Sequence, residues 1–156
     1  MSKIIGHEQD TENSTGEMKL KKYKSEVRVI YADTDAMGIV YHANYIKWFE
    51  IGRNEYLRQV GFPYSTLEKE KLWLPVVGVE CTYKAPAYYD DVLEINTWVG
   101  ELKAATVFIN YEIYRKSTGE LLVIGSTKHA ITNEKLKPVR FKTAHPELYK
   151  RIVNPL

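Results

Sequence analysis

The sequence has little cysteine, no strong excess of one charge and no long apolar run. Cys81 is its single cysteine and cannot form an internal disulfide, so the fold does not depend on an oxidising compartment. The formal net charge of +2 is not the electrostatic footprint of a nucleic-acid-binding protein, although it suits a small anionic ligand. No stretch approaches the roughly 20 apolar residues of a membrane span. We therefore expect a cytoplasmic protein with no nucleic-acid or membrane partner.

Signatures of metal and nucleotide sites are also missing. No spacing of His, Cys, Asp and Glu suggests a metal site. The loop around Gly38 matches neither glycine-rich phosphate-binding motif. We therefore expect no bound metal.

The periodicity of the first half predicts a strand and a long helix. Residues 1–22 are polar and aperiodic, which predicts a disordered tail before one domain over residues 23–156. Alternation over Glu26–Tyr31 predicts a half-buried strand. Apolar residues at spacings of three and four over residues 45–60 predict a largely buried helix.

Short signals then mark the end of that helix and the start of another. Gly61 is a natural helix stop. Ser65–Glu68 reads as a capping box that opens one short helix.

The second half changes to a period of two. Four predicted strands lie within residues 77–83, 93–99, 107–113 and 120–132. Their connections are short, including a tight turn around Gly100 and a hairpin turn at residues 117–119, so the sheet is expected to be antiparallel. One apolar helix must pack on one face of such a sheet, which gives an α+β fold. After Lys135 we expect a short terminal turn.

The loop between the first strand and the helix carries the candidate chemistry. It places Asp33, Asp35 and His42 directly before a buried helix. The first N–H groups of a helix have no partners within it and carry partial positive charge, so they can polarise a carbonyl. A carboxylate opposite that end can attack the carbonyl or activate a water. The pattern indicates acyl transfer or acyl hydrolysis.

The same loop resembles a known signature. The string DTDAMGIVYHANYIKWFEIGRNEYL is similar to that of the 4-hydroxybenzoyl-CoA thioesterase family, and most of all to its small Tol-Pal-associated acyl-CoA thioesterases. VVGVECTYKAPAYYDDVLEI at residues 76–95 and the Ser-Thr-Gly hairpin also match, so the resemblance covers about residues 24–140. It implies a hotdog fold, in which a curved antiparallel sheet of about five strands wraps one long central helix. It also implies a homodimer or homotetramer with active sites between subunits.

The resemblance implies hydrolysis of an acyl-CoA thioester to a free acid and CoA. Asp35 matches the catalytic carboxylate, as nucleophile or general base, and His42 matches a position beside the thioester carbonyl. Tyr31 matches a pocket tyrosine. Backbone N–H groups near Tyr41 and His42 would polarise the carbonyl. CoA is part of the substrate, so no separate cofactor is expected.

Further residues are expected to bind substrate. Met37 departs from the smaller residue of close relatives and is expected to reshape the acyl pocket. The candidates in the loop are Gly38, Val40 and Tyr41. The candidate cations for the CoA phosphates are Lys84, Arg115 and Lys116. These three can equally be ordinary solvated surface charges.

Several of these residues also have a purely structural interpretation. Asp35 can simply cap a turn in a glycine-containing loop. Asp33 can pair with Asp35, but we favour a role in organising the loop. His42 can be a structural histidine at a helix start, and His129, on a strand, is expected to be structural.

Two other functions fit the same fold. A hydratase or dehydratase on acyl thioesters would use a histidine as its main acid–base group, which His42 permits but the Asp35-to-Gly38 pattern disfavours. A non-enzymatic acyl-CoA-binding protein would need an attached effector module, for which a 22-residue tail is too short. Thiol release from acyl-CoAs distinguishes the three.

Overall fold

Five strands form one antiparallel sheet in the computed structural model, which describes residues 21–155. The strands are β1 (Tyr23–Arg28), β2 (Val76–Tyr83), β3 (Val92–Leu102), β4 (Thr106–Arg115) and β5 (Leu121–Ala130). Their order in the sheet is β1-β3-β4-β5-β2, so β1 and β2 are the two edges. The α+β class and the antiparallel sheet are as predicted.

One long helix, α1 (Asn44–Gln59), packs on a face of this sheet, within a residue of the predicted bounds. Its buried face includes Phe49, whose ring stacks on Tyr111 of β4 with centroids 4.4 Å apart. Gly52 marks the closest approach, because a Cβ there would lie 2.4 Å from Thr97 Oγ1 of β3. Because glycine has no side chain, the helix can pass close over the sheet at this point.

The first strand ends earlier than predicted. Alternation continues to Tyr31 in the sequence, but β1 ends at Arg28 and a 3-10 turn begins at Tyr31. The Asp33 carboxylate accepts a hydrogen bond from the Ile30 N–H at 2.9 Å and folds the chain out of the sheet. A local side-chain contact therefore overrides the strand pattern.

The short helix α2 (Tyr64–Lys69) exists, but the predicted capping box is wrong. Its N-cap is Pro63, no side chain caps it, and Ser65 lies inside the helix. The preceding stop at Gly61 is confirmed, with φ +89° in the region that favours glycine.

Gly100 does not form the predicted tight turn. It lies within β3 at a bulge, and the chain reverses at residues 103–106, where the Lys103 N–H donates to the Thr106 carbonyl at 2.8 Å. A Cβ at position 100 would lie 2.1 Å from the Asn110 side chain, which explains why the bulge contains glycine. The hairpin turn at residues 117–119 is confirmed, with Gly119 at φ +72°.

The C-terminal segment contains more structure than the predicted short turn. It forms α3 (Phe141–Ala144) and α4 (Pro146–Val153), and Phe141, Leu148 and Ile152 are buried. Among residues 21–155, no helix is long and apolar enough to cross a membrane. The predicted tail lies outside the described residues except for Lys21 and Lys22, and Lys22 forms an ion pair with Glu112 at 2.8 Å.

Candidate active site

The loop before α1 closes into a tight turn around Asp35. Thr34 and Val40 pair as an isolated bridge, and between them the Asp35 N–H donates to the Ile39 carbonyl at 2.9 Å. The Gly38 N–H donates to the Asp35 carbonyl at 2.9 Å, and Gly38 has φ +79°. The turn therefore needs the left-handed backbone that glycine supplies. Gly38 shapes the loop in this way, and its predicted contact with substrate stays a prediction.

The Asp35 carboxylate divides its two oxygens between structure and solvent. Oδ1 accepts a hydrogen bond from the Met37 N–H at 2.8 Å and caps the turn. Oδ2 has no hydrogen-bond partner within residues 21–155. The half-buried side chain also lines a cavity of about 360 Å³. The turn-capping interpretation is thus correct for one oxygen, while the other is free to meet a ligand.

Asp33 holds the loop together, as predicted. Its side chain is buried, and Oδ1 lies 3.6 Å from Lys47 Nζ. Its carbonyl accepts hydrogen bonds from the Tyr41 N–H at 2.9 Å and from Asn44 Nδ2 at 2.8 Å. These bonds join the loop to the first turn of α1.

The start of α1 keeps unpaired N–H groups beside Asp35. Its N-cap is Ala43, and no side chain among residues 21–155 caps this end. The Tyr41 N–H is already donated to Asp33 at 2.9 Å, so it is occupied within the loop. Within the described part of the chain, the N–H groups of His42 and Ala43 have no hydrogen-bond acceptor. The available donors therefore begin at His42.

The cavity brings together residues that lie far apart in the sequence. Four of the predicted site residues line it: Asp35, Val40, His42 and Lys84. Met37, expected to shape the acyl pocket, also lines it. The residues that sequence analysis missed are Ile39, Tyr45, Tyr83, Ala85 and Pro86. Most of this lining is apolar, which suits the uncharged acyl thioester part of a substrate.

Two of the missed residues are tyrosines whose hydroxyl groups form hydrogen bonds between the site and distant segments of the chain. Tyr45 is buried in α1, and its hydroxyl accepts a hydrogen bond from the Ala87 N–H at 3.3 Å. Burial raises the pKa of Tyr45, so its hydroxyl stays protonated. Tyr83 ends β2 and donates to the His42 carbonyl at 2.8 Å. No local motif marks either tyrosine, because both partners are about 40 residues away, at separations of 42 and 41.

Two predicted site tyrosines lie outside the cavity in a single chain. Tyr31 is 79% exposed, and its ring contacts Tyr89 with centroids 6.1 Å apart. Tyr41 is 47% exposed and packs on the His42 ring at 4.5 Å. Their predicted roles toward substrate stay predictions.

Arg115 shapes the loop that forms one wall of the cavity. Its Nε lies 3.0 Å from Asp91 Oδ2, its Nη2 donates to the Pro86 carbonyl at 2.6 Å, and it forms an ion pair with Glu120. The side chain is 13% exposed. Two carboxylates therefore neutralise this guanidinium, and its binding of CoA phosphates stays a prediction.

The other two candidate cations have different surroundings. Lys116 pairs with Glu26 on β1. Lys84 is exposed, lines the cavity, and forms no ion pair within residues 21–155. Lys84 is thus the predicted cation that the structure brings to the site.

A second cavity of about 300 Å³ lies on another side of α1. It is bounded by α1, α2 and residues 73–75, which lead into β2. Leu67 and the half-exposed Trp73 give it an apolar wall, and Arg53, with a side chain 17% exposed, gives it a cationic one. Sequence analysis did not identify this cavity.

His129 is structural, as predicted. It is fully buried on β5, where Nε2 lies 2.7 Å from Thr127 Oγ1 and Nδ1 lies 3.0 Å from the Leu74 carbonyl. Thr127 Oγ1 also bonds the Tyr111 hydroxyl at 2.8 Å. Burial lowers the pKa of His129 to about 4. The histidine is therefore neutral at physiological pH and accepts from Thr127 while donating to Leu74.

Comparison with known proteins identifies the family of the chain. Residues 29–152 match the family described as the thioesterase-like superfamily. The chain is 40% identical over 117 residues to the acyl-CoA thioesterase YbgC of Haemophilus influenzae, covering 74% of this chain and 85% of the relative. It is 33% identical over 134 residues to the YbgC acyl-CoA thioesterase of Helicobacter pylori strain 26695, covering 83% and 98%.

A solved structure of a related thioesterase has the same fold. The DHNA-CoA thioesterase of Staphylococcus aureus superposes with a TM-score of 0.78 at 33% identity, covering 83% of this chain and 87% of that one. The predicted family resemblance and the hotdog architecture are therefore confirmed. The chain belongs to the thioesterase-like superfamily, has its hotdog fold and is an acyl-CoA thioesterase.

Proposed function

We propose that Asp35 is the carboxylate that acts on the thioester carbonyl. The free Oδ2 of Asp35 supports this role, because Asp35 lies at a cavity that also contains the uncapped start of α1. Asp35 either attacks the carbonyl carbon, giving an acyl-aspartyl anhydride that water then hydrolyses, or takes a proton from the attacking water. In both routes the C–S bond breaks and CoA leaves as its thiol after taking up a proton.

The donors at the helix start stabilise the oxyanion that forms on this carbonyl. The N–H groups of His42 and Ala43 are free to do so, and the His42 side chain lies beside them on the cavity wall. Removing a single oxyanion donor typically lowers turnover about 10²–10³-fold.

The active enzyme is proposed to be a homodimer, or a tetramer built from such dimers, joined through β2. The exposed face of β1 carries the charged residues Lys24, Glu26 and Arg28, as protected edges do. The edge strand β2 instead exposes Val77 at 57% and Val79 at 41%. An unprotected apolar edge of this kind invites pairing with a second strand.

Two-fold pairing of β2 would join the two cavities. A strand that pairs with its own copy about a two-fold axis runs antiparallel to it. The start of β2, beside Trp73, then lies next to the end of the partner's β2, beside Asp35 of the partner subunit. We therefore propose the second cavity as the acyl-binding end of the partner's active site.

The size of that cavity favours a compact acyl group. About 300 Å³ is the lower end of the roughly 300–1,000 Å³ range of ligand pockets. A short chain or a small aromatic acyl group fits this volume better than a long chain.

Lys84, at the rim of the Asp35 cavity, is proposed to bind CoA phosphate. The protein is proposed to act in the cytoplasm, where acyl-CoA is available.

Thiol release from a panel of short, aromatic and long-chain acyl-CoAs tests this function. The largest kcat/KM is expected for a compact acyl-CoA, and Trp73→Ala should raise the relative rate on longer chains. Hydration of an enoyl-CoA without thiol release would instead establish a hydratase. Binding without turnover of any panel member would establish an acyl-CoA-binding protein.

A further inference from the structure

The peptide that follows His42 is held from outside its own loop. Within the loop, the Asn44 N–H donates to the Tyr41 carbonyl at 3.0 Å and closes a turn with His42 and Ala43 at its centre. The first carbonyl that α1 uses is that of its N-cap Ala43, which accepts the Ile46 N–H at 3.2 Å. The His42 carbonyl lies one residue earlier, in the middle of the turn, and has no partner in α1.

Tyr83 supplies that partner from β2. Its hydroxyl donates to the His42 carbonyl at 2.8 Å. Its ring also meets the His42 ring edge-on, with centroids 6.3 Å apart, and packs on Tyr45 at 5.5 Å. Among residues 21–155, this hydrogen bond is the contact that holds the His42 carbonyl in place.

We propose that Tyr83 is a positioning residue for thioester hydrolysis, acting through His42. A trans peptide is planar, so fixing the His42 carbonyl also fixes the direction of the Ala43 N–H. The ring contact limits the rotation of the imidazole. Tyr83 therefore holds both groups at the helix start that the proposed mechanism uses, without touching the reacting atoms.

The position of Tyr83 also links the site to the free edge of the sheet. It is the last residue of β2, one of the two edge strands of the sheet. Partial burial raises the pKa of Tyr83, so the hydroxyl remains a donor at neutral pH. Order imposed on β2 reaches His42 through this hydroxyl and through the contact of the two rings.

Tyr83→Phe tests the inference because it removes the hydroxyl and keeps the ring. A hydrogen bond between neutral groups contributes modestly, so kcat should fall about 3- to 10-fold while KM stays within about twofold. Two controls should keep wild-type kcat. Tyr149→Phe removes a tyrosine hydroxyl on α4, and Cys81→Ala removes the thiol that also interacts with the Tyr83 hydroxyl.

A double-mutant cycle with His42→Ala distinguishes action through the backbone from action through the imidazole. The Tyr83 hydroxyl donates to the backbone carbonyl of residue 42, which His42→Ala keeps, so Tyr83→Phe should lower kcat by a similar factor in both backgrounds. Loss of the effect in the His42→Ala background, or an unchanged kcat for Tyr83→Phe in the wild-type background, would overturn the inference. So would a fall in kcat that follows a matching fall in melting temperature.

The inference rests on the proposed function, and the two can fail separately. Wild-type thiol release that is lost in Asp35→Asn but unaffected by Tyr83→Phe refutes the role of Tyr83 alone. Retention of activity in Asp35→Asn refutes the proposed mechanism, whatever Tyr83→Phe does.

Discussion

At the scale of single residues, Asp35 can cap a turn and still have the proposed chemical role, because a carboxylate has two oxygens. Oδ1 is used by the turn, through the Met37 N–H, and Oδ2 is not. An asparagine at this position can still accept the turn bond through its amide oxygen, but it is neither a nucleophile nor a base. The structural and chemical roles can therefore be separated by one substitution.

Asp35→Asn should lower kcat for thioester hydrolysis at least about 10²-fold, since general-base work alone contributes about 10²–10⁴-fold. The melting temperature should stay close to that of the wild type, because the turn keeps its cap. Thiol release and thermal unfolding, measured on the same preparation, check both statements. Turnover above about a tenth of the wild-type value would show that another group does the chemistry.

His42→Ala should be less damaging than Asp35→Asn. The backbone N–H groups at positions 42 and 43 remain in place, so only the contribution of the imidazole is lost. We expect kcat to fall by no more than the roughly 10²–10³-fold typical of a whole oxyanion donor. Steady-state kinetics on one acyl-CoA compares the two variants. Equal inactivation of both would favour a histidine-centred acid–base mechanism.

Sequence analysis identified most of the site residues that lie in one loop, although not Ile39, and among those that reach the cavity through folding it identified Lys84 alone. Asp35, Val40 and His42 lie within eight consecutive positions before or at the start of a predicted helix. The partial positive charge at the start of a helix indicated a role for this loop in acyl chemistry. Tyr83 reaches His42 from 41 residues away. No local pattern indicates such a contact, because it depends on where β2 ends relative to α1.

At the scale of elements, the same division between local and non-local information applies. Strands and the long helix were predictable because their periodicities of two and 3.6 are local. The pattern of β2 was misleading: alternation predicts one buried face, yet both Val76 and Val77 are about half exposed, at 48% and 57%. α1 packs mainly on the other four strands, and the start of β2 stays exposed within the described residues. The helices after residue 140 were missed, although Leu148 and Ile152 have helical spacing.

The interior of the sheet predicts a pH dependence of stability. His129 links β5 to the segment before β2, and burial lowers its pKa from 6.5 to about 4. Between these pH values the unfolded chain binds a proton that the folded chain does not. The free energy of unfolding should therefore decrease as the pH falls from about 6.5 to about 4. The loss is on the order of 3 kcal/mol in total.

His129→Gln isolates this contribution, because glutamine does not titrate. Urea unfolding of both proteins at several pH values gives the difference in unfolding free energy. The advantage of the wild type over His129→Gln should shrink as the solution becomes more acidic in that window, and level off near neutral pH. A difference that is constant with pH would mean that His129 is protonated equally in both states.

At the scale of the whole molecule, β2 is the edge strand that exposes apolar side chains. It carries exposed valines and ends at Tyr83, whose hydroxyl donates to the His42 carbonyl. A second copy of the same strand would cover those valines, and it would bring the cavity at Trp73 to Asp35 of the partner subunit. One interface would then complete both the sheet and the substrate site.

Val79→Lys should break this interface, since a charge on an edge strand opposes pairing with another strand. Val79 is 41% exposed in a single chain, so the lysine can reach solvent and the subunit should still fold. Sedimentation velocity over a dilution series should show a dimer or tetramer for the wild type and a monomer for the variant. Thiol release should fall with dissociation, because each site loses its acyl cavity. Thr143→Lys adds the same charge at an exposed position on α3 and should change neither property. A wild-type monomer with full activity per chain would refute both the dimer through β2 and an acyl site shared between subunits.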